Sequence, residues 1–150
     1  MSEHRATARW TRGQEQFAYE TYSRRHRWIF GGGAELDASS APEYLGDAKL
    51  PNPEEALVIA LSSCHMLSFL AIAARKRLTV DSYEDAAVGQ MEKNESGRLA
   101  VTRVELRPRV VFSGPSRPSR DELARLHEQA HRVCFIANSV RTEVTVVPQD

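Results

Sequence analysis

Residues 52–76 read NPEEALVIALSSCHMLSFLAIAARK, and the reading of this stretch decides the fold. Asn52 is a good helix cap, and Pro53 has the fixed φ that suits a first helical position. Glu54 and Glu55 lie where the positive end of the helix dipole favours carboxylates. Arg75 and Lys76 complement the negative end. The spacing predicts a helix from Pro53 to about Lys76. Between its charged ends, apolar residues cover most of the circumference: Leu57, Val58, Ile59, Leu61, Met66, Leu67, Phe69, Leu70 and Ile72. A helix apolar all round is expected to be buried all round. At 1.5 Å per residue its two dozen or so residues span roughly 36 Å, which is long for a chain of this size. Part of that surface is therefore expected to pack against a second subunit. One reactive side chain, Cys64, lies in the middle of the helix with His65 beside it.

The chain has 150 residues, most simply one domain over 1–150. Its 20 basic and 20 acidic side chains balance to a formal charge of +0, which argues against a dedicated nucleic-acid binder. The start, MSEHRATARW, has no apolar core of a signal peptide behind its charges. The run from Ala56 to Ala74 is interrupted by Ser62, Ser63, His65 and Ser68, which argues against a membrane span. Two cysteines are too few for a secreted disulfide framework. The expected location is the cytoplasm, where a cysteine pair that bonds does so for redox chemistry rather than for structure.

Outward from the helix, the pattern predicts strands on both sides. Residues 5–12 alternate small and basic side chains. In 17–30, FAYETYSRRHRWIF, the first part is expected to end one strand and the second to form another. Residues 31–33 are a glycine turn, and 34–50 read as an ordered loop. Residues 79–93 read as a strand, and 98–114 as one long strand or two. A second helix is expected to start near Pro118, with Ser119 or Arg120 at its cap, and to end between His131 and Cys134. A short helical piece over 136–140 and a final strand over 141–148 follow. The fold class is α+β.

Several uses are open for the residues that carry chemistry. Cys64 could be a small core hydrophobe and Glu54 a helix-start carboxylate. A thiol in apolar surroundings is a poor nucleophile unless a cation stabilises its thiolate. Arg24 is the natural cation, since a guanidinium keeps its charge in a pocket; His26 and His65 are weaker candidates. Cys134, seventy residues after Cys64, could condense with an oxidised Cys64 if the two α-carbons come within about 7 Å. Cys64, His65, His131 and Cys134 could also bind zinc, although no C-x-x-C pair is present. No phosphate-binding glycine motif occurs.

NPEEALVIALSSCHM (52–66) together with AHRVCFIANSV (130–140) resembles the OsmC/Ohr family of thiol peroxidases. The shared features are an Asn-Pro-Glu helix start with a cysteine ten residues after the glutamate, and a second cysteine closing another helix. The likeness is to the broader OsmC-like branch, because the glycine-rich arginine motif of the hydroperoxide-resistance branch is absent near the N-terminus.

The resemblance implies antiparallel sheets wrapped around two helices, one of them a long buried central helix, in an intertwined homodimer with active sites at the interface. It implies that Cys64 is the peroxidatic cysteine, Cys134 the resolving cysteine, and Glu54 the carboxylate that orients a catalytic arginine. Arg24 best fits that arginine, with Arg25 and Arg12 as alternatives. The implied reaction reduces organic hydroperoxides, and hydrogen peroxide as a further substrate, through a Cys64 sulfenic acid and a Cys64–Cys134 disulfide. No cofactor and no metal are required. An external dithiol, in the family sometimes a lipoylated protein, restores the thiols. Neither nucleic acid nor membrane is an expected partner. The same fold could instead serve as a non-enzymatic ligand-binding or redox-sensing dimer.

Overall fold

The structure, a computed structural model, describes all 150 residues. Two compact units are formed, Met1–Ala56 and Leu57–Asp150.

In the first unit, β1 (Ala6–Arg9), β2 (His26–Phe30) and β3 (Glu35–Ala38) form an antiparallel sheet in that order. Trp28 lies opposite Ala8 on one side and Leu36 on the other. The aromatic segment before β2 is not the strand its pattern suggests. Phe17 and Tyr22 instead cluster with Trp10, ring centroids 5.5–6.2 Å apart, and Trp10 Nε1 donates to Ser23 O at 2.7 Å. Side-chain clustering here outweighs the strand propensity of the aromatics. The expected loop over 34–50 contains β3 and a single 3₁₀ turn, Pro42–Tyr44. The chain then folds back so tightly that a Cβ on Gly46 would lie 1.6 Å from Ser40 O, a spacing only glycine permits.

α1 runs Pro53–Arg75. Its start is a reciprocal cap: Glu55 N donates to Asn52 Oδ1 at 2.9 Å, and Asn52 N donates to Glu55 Oε2 at 3.2 Å. Its end closes with Arg77 at φ 60° and bonds from Leu78 N to Ala73 O and from Arg77 N to Ala74 O, a Schellman turn.

The second unit places α1 beside α2 (Arg120–Val133) and two small sheets. β4 (Thr79–Asp85) pairs antiparallel with β7 (Pro108–Ser113). β5 (Val88–Lys93) pairs antiparallel with β6 (Leu99–Leu106), which pairs in parallel with β8 (Glu143–Val146). The expected strand over 79–93 is thus two strands in different sheets. The chain changes sheet between Asp85 and Val88, and again between Leu106 and Pro108. Ser119 caps α2 in a full capping box with Glu122.

The buried residues of α1 are Leu61, Ser62, His65, Phe69 and Ala73, one face at helical spacing. Phe69 and Ala73 join Leu126 and Ala130 of α2, and Leu61 joins Val104 and Leu106 of β6. α1 is therefore the core helix of this unit, but it is not buried all round. Ile59 and Leu67 remain 63% and 60% exposed, so an apolar face is left open within the single chain.

Candidate active site

Cys64 sits in the middle of α1, half-buried, and Cys134 is the residue that ends α2, 1% exposed; both are free thiols. They lie near enough for the Cys64 side chain to act on the Cys134 thiol. Burial pushes the Cys134 thiol up to about 11, the Ala137 N–H opposes this, and the Cys64 side chain raises it further as hydrogen-bond partner and as charge. Ala137 N donates to Cys134 Sγ at 3.5 Å. At neutral pH, Cys134 is thus held protonated until something draws its proton away.

His65, beside Cys64 in the sequence, belongs to a set of polar groups whose other members, His127, Asp85 and Tyr83, the sequence did not single out. His65 Nε2 and His127 Nδ1 are 3.0 Å apart, with ring planes at 8°. Burial lowers the pKa of His65 to about 4, helped by the charge of His131 and opposed by Asp85. Burial, then His65, lowers that of His127 to about 4. Both rings are therefore neutral near pH 7. Ser62 Oγ donates to Asp85 Oδ2 at 2.5 Å. The Tyr83 hydroxyl is buried without a partner, and its pKa is raised by burial and by Asp85. The only sequence signal for His127 is its seven-residue spacing from Cys134, two helical turns, and it means little until His65 is known to face it.

Of the remaining sequence-derived candidates, His131 lies in the last turn of α2 with Nδ1 buried and unpartnered, and the others lie in the first unit. Arg24 donates from Nη1 to Tyr22 O at 2.7 Å and from Nη2 to Tyr19 O at 2.5 Å. Its guanidinium carbon lies 3.7 Å from the Tyr22 ring centroid. An open cleft of about 430 Å³ is lined by Trp10, Phe17, Tyr22, Arg24, His26 and Pro53. His26 Nδ1 donates to Arg24 O at 2.8 Å, since a carbonyl only accepts, and its Nε2 accepts from Trp28 Nε1 at 2.9 Å, which fixes the orientation of the ring. Glu54 Oε2 is buried and has no partner. The expected Glu54–Arg24 hydrogen bond is not made, because the guanidinium is committed to two carbonyls. Arg25 pairs with Asp37 at 2.5 Å, and Arg12 is exposed. No group of three or more His, Cys, Asp or Glu side chains is arranged to hold a metal ion.

Fold and thiols together define an α+β protein with one free cysteine in the middle of a long core helix and a second, near enough to interact with it, at the end of another helix. Residues 46–148 match the OsmC-like protein family. The structure is similar to that of an OsmC-like protein of unknown function from Vibrio cholerae, with 50% identity, TM-score 0.96, and 99% of this chain and 100% of that chain covered. Two more distant likenesses show the fold. An organic hydroperoxide resistance protein from Elizabethkingia anophelis has 20% identity and TM-score 0.75, covering 100% and 97%. The organic hydroperoxide resistance protein OhrB of Bacillus subtilis has 17% identity and TM-score 0.68, covering 99% and 98%. No curated protein matches the sequence. The chain belongs to the OsmC-like family.

Proposed function

We propose that this protein is a cysteine-based peroxidase that reduces organic hydroperoxides. The observation that carries the reading is the pair of free thiols near enough to interact, one half-exposed on α1 and one buried at the end of α2. The names of the Elizabethkingia and Bacillus relatives support the substrate class.

In this reading the Cys64 thiolate attacks the terminal oxygen of the peroxide. The O–O bond breaks, the alkoxide leaves and takes up a proton as alcohol, and Cys64 becomes a sulfenic acid. Cys134 then attacks the Cys64 sulfur, the S–O bond breaks, the Cys134 proton leaves with the hydroxyl as water, and a disulfide forms. An external dithiol reverses it by exchange, taking up the oxidation itself; a lipoylated protein would have the right chemistry.

Arg24 is assigned as the guanidinium that favours the thiolate, and Glu54 as the carboxylate that orients it once Arg24 leaves the Tyr19 and Tyr22 carbonyls that hold it in this structure. Two facts support these assignments: Arg24 lines an open cleft together with Trp10, Phe17 and Tyr22, and Glu54 keeps an unpartnered buried oxygen. The open apolar face of α1 supports a homodimer. A cytoplasmic location follows from the need for reducing conditions.

The test is intact mass and free-thiol count before and after one equivalent of cumene hydroperoxide. Wild type is expected to lose two thiols and about 2 Da per chain. Cys64→Ser is expected to remain unoxidised, and Cys134→Ser to stop at the sulfenic acid. Full peroxide turnover by Cys64→Ser ends the reading.

A further inference from the structure

His65 and His127 are the buried side chains that the proposed chemistry leaves unused. They are 1% and 3% exposed, so both rings are withdrawn from water. Each makes its one hydrogen bond to the other, at 3.0 Å; the outer nitrogens, His65 Nδ1 and His127 Nε2, have no partner. Two orphaned polar atoms make this arrangement less stable than apolar side chains of similar shape would be, so core filling alone does not account for it.

Its placement does. His65 directly follows Cys64 in α1. His127 precedes Cys134 by seven residues, about 20° short of two full turns, so both lie on one face of α2. A bond from α1 to His127 therefore sets the rotation of α2 about its own axis, and with it the direction in which Cys134 points. Phe69, one turn beyond His65, stacks on the His127 ring with centroids 4.4 Å apart and limits its swing.

We propose that His65 and His127 are positioning residues for the two thiols: their buried hydrogen bond fixes the rotation of α2 against α1 and keeps Cys134 turned toward Cys64. The inference rests on the dithiol reading above, but its test needs no peroxide. In a glutathione buffer the two thiols give two electrons and two protons to one oxidised glutathione, forming the internal S–S bond and releasing two reduced glutathiones. The equilibrium gives the effective concentration of one thiol at the other.

His127→Leu is expected to lower that effective concentration about tenfold or more, since small misplacements of reacting groups have effects of this order. His127→Asn can place an amide atom where Nδ1 stands and is expected to stay within about threefold of wild type. His127→Gln, equally polar, cannot, and is expected to behave like the leucine variant. Should the leucine variant fail to fold, the asparagine–glutamine comparison decides. An unchanged value in folded His127→Leu, equal values in the asparagine and glutamine variants, or no internal disulfide in wild type overturns the proposal. Peroxide consumption is measured in parallel. A chain that consumes none but shows the asparagine–glutamine split loses the peroxidase reading and keeps this one.

Discussion

Asp85 accepts a hydrogen bond from Ser62 Oγ at 2.5 Å, two residues before Cys64, while its other oxygen takes the Arg107 N–H at 2.6 Å. One carboxylate thus joins three elements. Asp85 ends β4 where the chain leaves for β5, and Arg107 lies where β6 passes into β7. Both changes of sheet are tied to the segment of α1 that carries the thiol.

Removal of this carboxylate leaves a backbone donor and a hydroxyl without their partner. Asp85→Ala is expected to destabilise the fold by about 2–3 kcal/mol. Asp85→Asn keeps one acceptor oxygen and is expected to lose less. Urea denaturation at neutral pH checks both, and an alanine variant as stable as wild type would remove Asp85 from this role.

Acid should weaken the fold over a defined window. In the folded protein, His65 and His127 bind a proton only near pH 4, against 6.5 ordinarily. Between those values the unfolded chain binds more protons, so stability falls as pH drops from about 6.5 to 4 and levels off below. The loss is about 3 kcal/mol for each ring, and the charge of His65 is one of the causes that hold His127 neutral. His131 and Asp85 act on His65 in opposite senses and partly offset. Urea midpoints between pH 7.5 and 4 should show the slope in wild type and a shallower one in the His65→Gln, His127→Asn double variant. A flat wild-type profile would contradict the buried neutral pair.

The thiols should differ in accessibility. Cys134 is closed to solvent and its thiol is raised to about 11, so only about one molecule in a thousand carries its thiolate at pH 8. Brief treatment with iodoacetamide is expected to give a single adduct, mapped to Cys64, with Cys134 labelled only after urea. Equal labelling of both in the folded protein would mean that α2 opens readily.

The open face of the helices should report on assembly. Leu67, Ile72, Val133 and Phe135 line a groove of about 610 Å³ flanked by Arg75 and Arg132, with Phe135 80% exposed. If this surface is covered by a second copy, Leu67→Asp is expected to shift sedimentation from dimer toward monomer without changing the helical circular dichroism. A dimer that persists unaltered would place the interface elsewhere.

The two helices were legible in the sequence because their signals are local. Asn52, Pro53 and the two glutamates mark one start, Ser119 and Glu122 the other, and basic residues mark the ends. The strands around 98–114 were legible from alternation, apart from the break at Arg107. Residues 17–25 were not, because strand-forming aromatics are equally suited to clustering around Trp10. The division of 79–93 at Ala86 and Ala87 was not legible either, since a change of sheet leaves no periodic mark. Of the candidate site, both cysteines and Glu54 stood out only through the resemblance of their motifs to the OsmC/Ohr family, since their pattern alone fits core filling and a helix start equally well. His127 and Asp85 did not, because their meaning lies in partners 62 and 23 residues away along the chain. The surroundings of Arg24 were hidden for a similar reason: the carbonyls it binds belong to a turn that has no repeating pattern.

Cys134 occupies the C-cap of α2, at φ −69° and ψ 112°, after the helical hydrogen bonds have run out. Cys64, by contrast, has intact helix on both sides for more than two turns. The two sulfurs therefore have different supports: Cys64 is carried by continuous helix, Cys134 by the joint between α2 and the turn beyond it, where Asn138 N donates to Cys134 O at 3.0 Å and Asn138 Nδ2 to Arg132 O at 3.1 Å. A backbone rotation at Cys134 breaks no hydrogen bond inside α2, whereas one at Cys64 breaks helical bonds on both sides of it.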